Sequence, residues 1–384
     1  MQPSDLRVAL FSGNYNYVRD GANQALNLLV DYLLRQGVQV RVYSPTTSTP
    51  AFEPMGDLVS VPALPVPGGR AEYKFAVNLP AVIRRDLEAF APNLVHVSAP
   101  EILGHRAVAW ARKRDIATVA SLHTRFETYP RYYHLGFLEP LVIKGLTRFY
   151  NRVDQVVTPG NSTAEIIQSW GVTTPVRIWS RGVNHDRFNP QMRSNEWRRS
   201  LGIDDEEFAI GFLGRLVLEK GLDIFADVCN ALTARGVPHR VLVIGDGPAR
   251  GWFADRVPEA AFAGFQRGEA LGQAVASMDV LFNPSVTETF GNVTLEAMAC
   301  GVPVVAANAT GAMDLVEDGV NGFLVPPRDV NAYADAIARL VQDPGLRKSA
   351  GAAGHAKARA YKWDVINQAV LDTYLEVMAR RGAH

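Results

Sequence analysis

The 384-residue chain has only two cysteines, Cys229 and Cys300. That is too few for a disulfide scaffold or a Cys-rich zinc module, and it suits a reducing compartment. Charge of either sign is not in excess: 39 Lys plus Arg stand against 39 Asp plus Glu. A zero balance removes any global argument for nucleic-acid binding. Long apolar runs are missing as well. The longest uncharged stretch, Ala297 to Met313, is broken by Gly301, Pro303, Asn308 and Gly311, so it is no bilayer span. The first residues reach the apolar run Val8–Phe11 without a basic region and cleavage site, so no signal peptide is expected. There is no D-x-D segment at a strand end, no His/Cys cluster with metal spacing and no G-x-S-x-G elbow. A strong P-loop is also lacking. No residue pattern calls for a catalytic metal or a resident cofactor. What is present is 47% hydrophobic and 20% charged, enough for full cores. At roughly 100–200 residues per domain, two domains of a soluble, cytoplasmic protein are expected.

Short apolar strands alternate with helical patterns. In the first half the strands are Val8–Phe11, Val38–Tyr43, Leu94–Val97, Ala117–Ser121 and Gln155–Thr158. The helices are Ala22–Gln36, Gly104–Arg114, Leu138–Arg152 and Ser162–Trp170. Leu26, Leu29, Val30, Leu33 and Leu34 are spaced as one helical face, and Gly37 is a stop. A polar stretch, Asn184–Ser200, reads as a linker. After it the pattern restarts with strands Ala209–Leu213, Val241–Ile244, Val280–Phe282 and Val302–Ala306. Helical stretches Val330–Val341, Leu346–Ala360 and Trp363–Arg380 close the chain. The expected fold class is α/β, two doubly wound domains facing across a cleft. Residues 1–180 carry a small excess of basic over acidic side chains, which suits an anionic membrane face as well as it suits ordinary scatter.

Five segments carry candidate chemistry. Glu288-Thr-Phe-Gly291-Asn292-Val293-Thr-Leu-Glu296 follows a buried strand. Gly291 permits a tight turn, and the free N–H groups of a helix starting near Asn292 make an anion site. Glu288 and Glu296 are too separated to act as a carboxylate dyad. Leu295, Ala297 and Met298 around Glu296 argue against an exposed face. Gly214-Arg215, followed by Lys220-Gly221, places two cations at a strand's carboxyl end, where they would suit a diphosphate. Gly245-Asp246-Gly247-Pro248 is a strand running into a glycine turn. Arg250 breaks the G-x-G-x-x-G spacing, so a loop lining a nucleotide base fits better than a nicotinamide site. His123 ends a strand, and downstream lie Phe126, Tyr129, Tyr132, Tyr133 and His134. Those rings suit sugar stacking, a lipid interface or plain core packing. Gly21, before the first long helix, allows an anionic group to approach closely.

Together, Phe212-Leu-Gly-Arg215 with Glu219-Lys220-Gly221, Gly245-Asp-Gly-Pro248, and Glu288 with Glu296 ahead of Gly301-Val-Pro303 resemble the family 4 retaining glycosyltransferases of the GT-B fold. The resemblance covers essentially the whole chain. Arg177 to Pro190 resembles the end of the N-terminal domain in the subgroup holding sulfoquinovosyl-diacylglycerol synthase and GDP-mannose-dependent α-mannosyltransferases.

The resemblance implies an acceptor-binding domain over 1–188, to which the helix 363–384 returns, and a nucleotide-sugar-binding domain over 189–362. It implies that Arg215 and Lys220 hold the donor diphosphate, that Glu296 binds ribose hydroxyls and that Glu288 contacts the donor sugar. N–H groups near Asn292 and Val293 would take the distal phosphate, His123 would line the reacting sugar, and Gly21 would lie beside the diphosphate. Backbone around Gly264 and Phe265 would meet the base. Asp20-Gly21-Ala22 stands where many members carry a Gly-Gly pair. The implied activity is transfer of a hexosyl group from GDP-mannose or a UDP-hexose to a lipid or lipid-linked glycan, with retention and without metal. The acceptor would stack on Tyr129, Tyr132 and Tyr133 at the inner face of a membrane. The alternatives are an epimerase or hydrolase of the same fold, or a non-catalytic nucleotide-sugar-binding protein.

Overall fold

A computed structural model describes residues 1–18, 20–65, 74–128 and 135–382. Tyr129, Tyr132, Tyr133 and His134 lie outside the described residues. The chain divides into two compact units, Met1–Arg181 with Trp363–His384, and Gly182–Lys362.

The first unit holds a seven-stranded sheet, all of it parallel, in the spatial order 57–60, 39–44, 7–11, 94–97, 117–121, 155–158, 176–178. Counted along the chain, the order is 3-2-1-4-5-6-7. The order reverses between Arg7–Phe11 and Leu94–Val97, so loops after those two strands diverge and leave a crevice. Both faces of the sheet are covered, so its central strands Leu94–Val97 and Ala117–Ser121 are buried at every position, the polar His96, Thr118 and Ser121 included. On the helix Gly21–Arg35, Ala25, Leu26, Leu29, Val30 and Leu33 face the core, and the Asp20 side chain caps Asn23 N–H at 2.8 Å. Leu34, expected on that face, is 41% exposed, because one residue past Leu33 is about 100° around the helix.

The closing helix, Trp363–Gly382, belongs to this first unit. Val370, Leu371, Tyr374 and Val377 are buried with the helix Gly21–Arg35 and the sheet. Its polar ties are also internal. Asn367 donates to Leu28 O at 3.1 Å and accepts from Trp179 Nε1 at 3.3 Å. The Tyr374 hydroxyl lies 2.5 Å from His96 Nδ1, and the other ring nitrogen of His96 pairs with the Ser121 hydroxyl. Burial pushes His96 down to a pKa of about 3, so it is a neutral core residue.

The second unit holds a six-stranded parallel sheet in the order 261–264, 240–244, 209–213, 280–283, 304–307, 322–325. This is 3-2-1-4-5-6, reversing between Ala209–Leu213 and Val280–Asn283. Strands Asp57–Ser60, Val176–Ile178, Ala261–Gly264 and Gly322–Val325 and the helix Ala81–Phe90 were not expected. All four of those strands lie at sheet edges, where few apolar residues are needed.

Asn184–Ser200 is not a linker. Val183 and Phe188 are in the second unit's core, and Val183 N–H donates to Tyr361 O at 2.9 Å. The boundary therefore falls after Arg181 rather than after Phe188. Arg198 is fully buried: its guanidinium bonds Ser277 O at 2.8 Å and pairs with Asp279 at 2.9 Å. A charge that looked solvated is a buried brace between the helix Asn195–Ser200 and the strand Val280–Asn283.

Tyr374→Phe keeps the ring but leaves His96 Nδ1 without its partner. The expected loss is about 1–3 kcal/mol, read from the denaturant midpoint. An unchanged midpoint would mean the hydroxyl does not anchor the helix.

Candidate functional site

In the second unit the expected residues gather where the strand order reverses. Gly214 follows the strand Ala209–Leu213, Gly245 follows Arg240–Ile244, and Gly264 ends the neighbouring strand. The three loops are laced together: Gly214 N–H donates to Ile244 O at 3.0 Å, Gly245 N–H to Gly264 O at 2.9 Å, and Leu216 N–H to Asp246 O at 3.0 Å. This closeness explains the glycines. A Cβ on Gly245 would lie 1.9 Å from Gly214 O, with φ at +136°, and one on Gly247 would lie 2.4 Å from Leu216 O. Asp246 and Phe265 stay exposed beyond these loops, and Arg267 lies 4.9 Å over the Phe265 ring.

Arg215 is exposed, and its guanidinium makes no hydrogen bond or ion pair among the described residues. Lys220 is different: its ammonium forms an ion pair with Glu288. Lys220 precedes Gly221, which starts the helix Leu222–Ala234 with φ at +74° and packs on Pro284. The pair therefore joins the loop after one strand to the loop after the other, across the point of reversal. Next comes Gly291 at φ +91°, the N-cap of the helix Asn292–Ala299, whose side is bare of any capping hydrogen bond. First-turn N–H groups at Asn292 and Val293 are left for another acceptor. Glu296 sits one turn further on. Burial pushes its carboxyl up to about 7, against a smaller downward pull from Arg187.

The first unit has a cavity of about 470 Å³ at its own point of reversal. Ser12–Asn14, Ser98, Glu101 and His123 are in its wall, along with Asp20 and Lys74. His123 Nδ1 lies 2.7 Å from an Arg181 guanidinium nitrogen. Guanidinium only donates, so Nδ1 accepts and the ring proton is on Nε2. Burial, then the Arg181 charge, holds the imidazole well below its ordinary pKa, so His123 is neutral. Trp179 packs edge-on against the ring at 4.9 Å between centroids. Arg181 is itself buried, bonds Trp179 O and Ser180 O, and feels Asp20 electrostatically. At Gly21 the Asp20 carboxylate already occupies the helix start, accepting from Asn23 N–H.

Sequence reasoning missed Glu101, Trp179 and Arg181 as functional groups. Arg181 stood in the segment that carried the resemblance, but nothing local to it pointed to His123. Glu101 had one faint signal, an acidic residue four positions past the end of a largely apolar strand.

Two doubly wound units, one with an open helix start, paired and unpaired cations and glycine-laced loops at its strand ends, define a GT-B nucleotide-sugar transferase. The family model described as glycosyltransferase family 4 matches residues 19–187, and that for glycosyl transferases group 1 matches residues 207–343. The chain is 30% identical to a GDP-mannose-dependent alpha-mannosyltransferase of Mycolicibacterium smegmatis over 98% of its length and 99% of the relative's. It is 30% identical to the sulfoquinovosyl transferase SQD2 of Arabidopsis thaliana, covering 93% of this chain and 71% of that one. Its fold matches Anabaena Alr3699/HepE in complex with UDP-glucose at a TM-score of 0.74 and 20% identity, over 97% of this chain and 100% of that one. The chain belongs to glycosyltransferase family 4 and is a hexosyltransferase.

Glu296 offers a test that needs no substrate. Its folded pKa of about 7 stands above the ordinary 4.5, so the folded form holds the proton more tightly than the unfolded chain. Stability is then lost as pH rises from about 4.5 to 7. Glu296→Gln removes that loss: equal stability is expected at pH ~4 and a gain of up to about 3 kcal/mol at pH ~8. Thermal melts at the two pH values check it, and a gain independent of pH refutes it.

Proposed function

We propose that the protein is a retaining glycosyltransferase that moves a hexosyl group from GDP-mannose or a UDP-hexose to a hydroxyl of a lipid or lipid-linked glycan, forming an α-glycosidic bond. The observation that carries this reading is the grouping of Arg215, Lys220, Glu288 and the open helix start at Asn292 around one strand reversal. Breaking the anomeric C–O bond loads negative charge onto a diphosphate. Cations and N–H dipoles held beside that diphosphate stabilise the transition state more than the ground state. Arg215 and Lys220 fill the role a metal would fill, so the proposed reaction needs none.

Glu288, held by Lys220, is assigned to donor-sugar hydroxyls, and Glu296 to the ribose. Loops at Gly214, Gly245–Gly247 and Gly264–Phe265 are assigned to the nucleotide. His123 would present Nε2–H to the reacting sugar. It is neutral, so it orients and does not serve as a general acid. Retention would follow from attack on the face the diphosphate leaves, with a departing phosphate oxygen taking the acceptor's proton. The name of the M. smegmatis relative favours GDP-mannose. For a lipid acceptor the support is the exposure of Leu135, Phe137 and Leu141 around the start of the helix Glu139–Tyr150, on the unit with the basic excess. This surface is proposed to touch the membrane peripherally.

The test is transfer from a panel of GDP- and UDP-sugars to detergent-dispersed lipid acceptors, with the product's anomeric configuration read by NMR. Retention is expected, and Arg215→Ala should lower kcat roughly 10²–10³-fold. An inverted product sinks the mechanism, and turnover without any acceptor would favour a hydrolase.

A further inference from the structure

Glu101, in the wall of the first unit's cavity, is a carboxylate without a side-chain partner among the described residues. It follows the strand Leu94–Val97 and is the N-cap of the helix Ile102–Arg112, yet its side chain does not cap that helix. It forms no side-chain hydrogen bond or ion pair with any described residue. Room for it is made by Gly13, in the loop after the other strand at the reversal: a Cβ there would stand 1.7 Å from Glu101 Oε2. Any other residue at 13 would displace the carboxyl. The cavity's other charged groups make their own contacts. Asp20 caps its helix and feels Arg181, and the Lys74 ammonium donates to Thr46 O at 2.5 Å. His123 is neutral, and Tyr17 is the other titratable group in the wall. No cation among the described residues pairs with Glu101, whose carboxyl burial alone raises to about 7.

A half-desolvated carboxylate with no donor of its own is costly unless a ligand brings donors. When ionised it only accepts, so the matching ligand groups are hydroxyls. An anionic group set directly against the ionised Glu101 carboxylate adds repulsion. We propose that Glu101 is the acceptor-selecting residue of this enzyme, accepting hydrogen bonds from the hydroxyls of a neutral polyol, glyceryl or glycosyl group and rejecting acceptors that place a phosphate there. This rests on the glycosyl-transfer reading above and adds the chemical class of the acceptor.

The test compares native protein with Glu101→Gln at saturating donor, using methyl α-D-glucopyranoside, its 6-phosphate, and dioleoylglycerol in detergent micelles as acceptor probes. The soluble and lipid probes separate a free sugar from a lipid headgroup. Native protein should prefer a neutral probe over the phosphate at least about tenfold, a comparison that requires no variant. Glu101→Gln should raise the KM of the preferred neutral probe roughly ten- to hundredfold and narrow the preference, with donor KM within about twofold of native. For the native protein the acceptor KM should fall as pH rises through about 7, and the variant should lose that dependence. A native preference for the phosphate, or an unchanged acceptor KM in the variant, overturns the role of Glu101 while transfer itself stands. No transfer to any probe from any nucleotide sugar overturns the underlying reading and this inference with it.

Discussion

The ion pair between Lys220 and Glu288 is the contact on which the second unit's site depends. The two residues come from loops after the first and fourth strands of a 3-2-1-4-5-6 sheet, so no shared element holds them. Their side chains are 32% and 18% exposed, enough burial for the attraction to outweigh that of an ordinary surface pair. The pairing has a chemical consequence. Lys220 is paired with Glu288, whereas Arg215 has no ion-pair partner among the described residues.

The same constraint explains where glycine is indispensable. Loops carrying Gly214, Gly245 and Gly264 exchange backbone hydrogen bonds along adjacent strand ends, and at Gly245 and Gly247 the neighbouring backbone approaches more closely than a side chain allows. In the first unit the equivalent place is treated in the opposite way. There Gly13 gives up its side chain so that a carboxylate, Glu101, can stand at the strand ends. One sheet topology thus supports a site suited to anions in one unit and a site suited to hydroxyls in the other.

Much of the fold was legible because both sheets are buried on both faces. Ala209–Leu213 carries no polar side chain, Ala117–Ser121 carries only the small hydroxyls of Thr118 and Ser121, and the bounds of both matched the observed strands. Edge strands such as Asp57–Ser60 lack that signature, since half of their surface faces water. The segment around Arg198 misled because a charge in a polar stretch normally means solvent, and only the fold supplies Asp279 and Ser277 O as partners. The donor-side residues were visible as motifs because glycine, cation and helix start are close in sequence. Arg181 and His123 are 58 residues apart, and Glu101 meets Gly13 only through strand adjacency. Neither pairing leaves a trace in local sequence.

The central claim is that the second unit grips a diphosphate. Calorimetric titration of the native protein with GDP, GMP, UDP and UMP tests it most directly. The favoured diphosphate should bind roughly ten- to hundredfold more tightly than its own monophosphate, the contribution expected of charge-assisted hydrogen bonds to the distal phosphate. Equal affinity for diphosphate and monophosphate would contradict it.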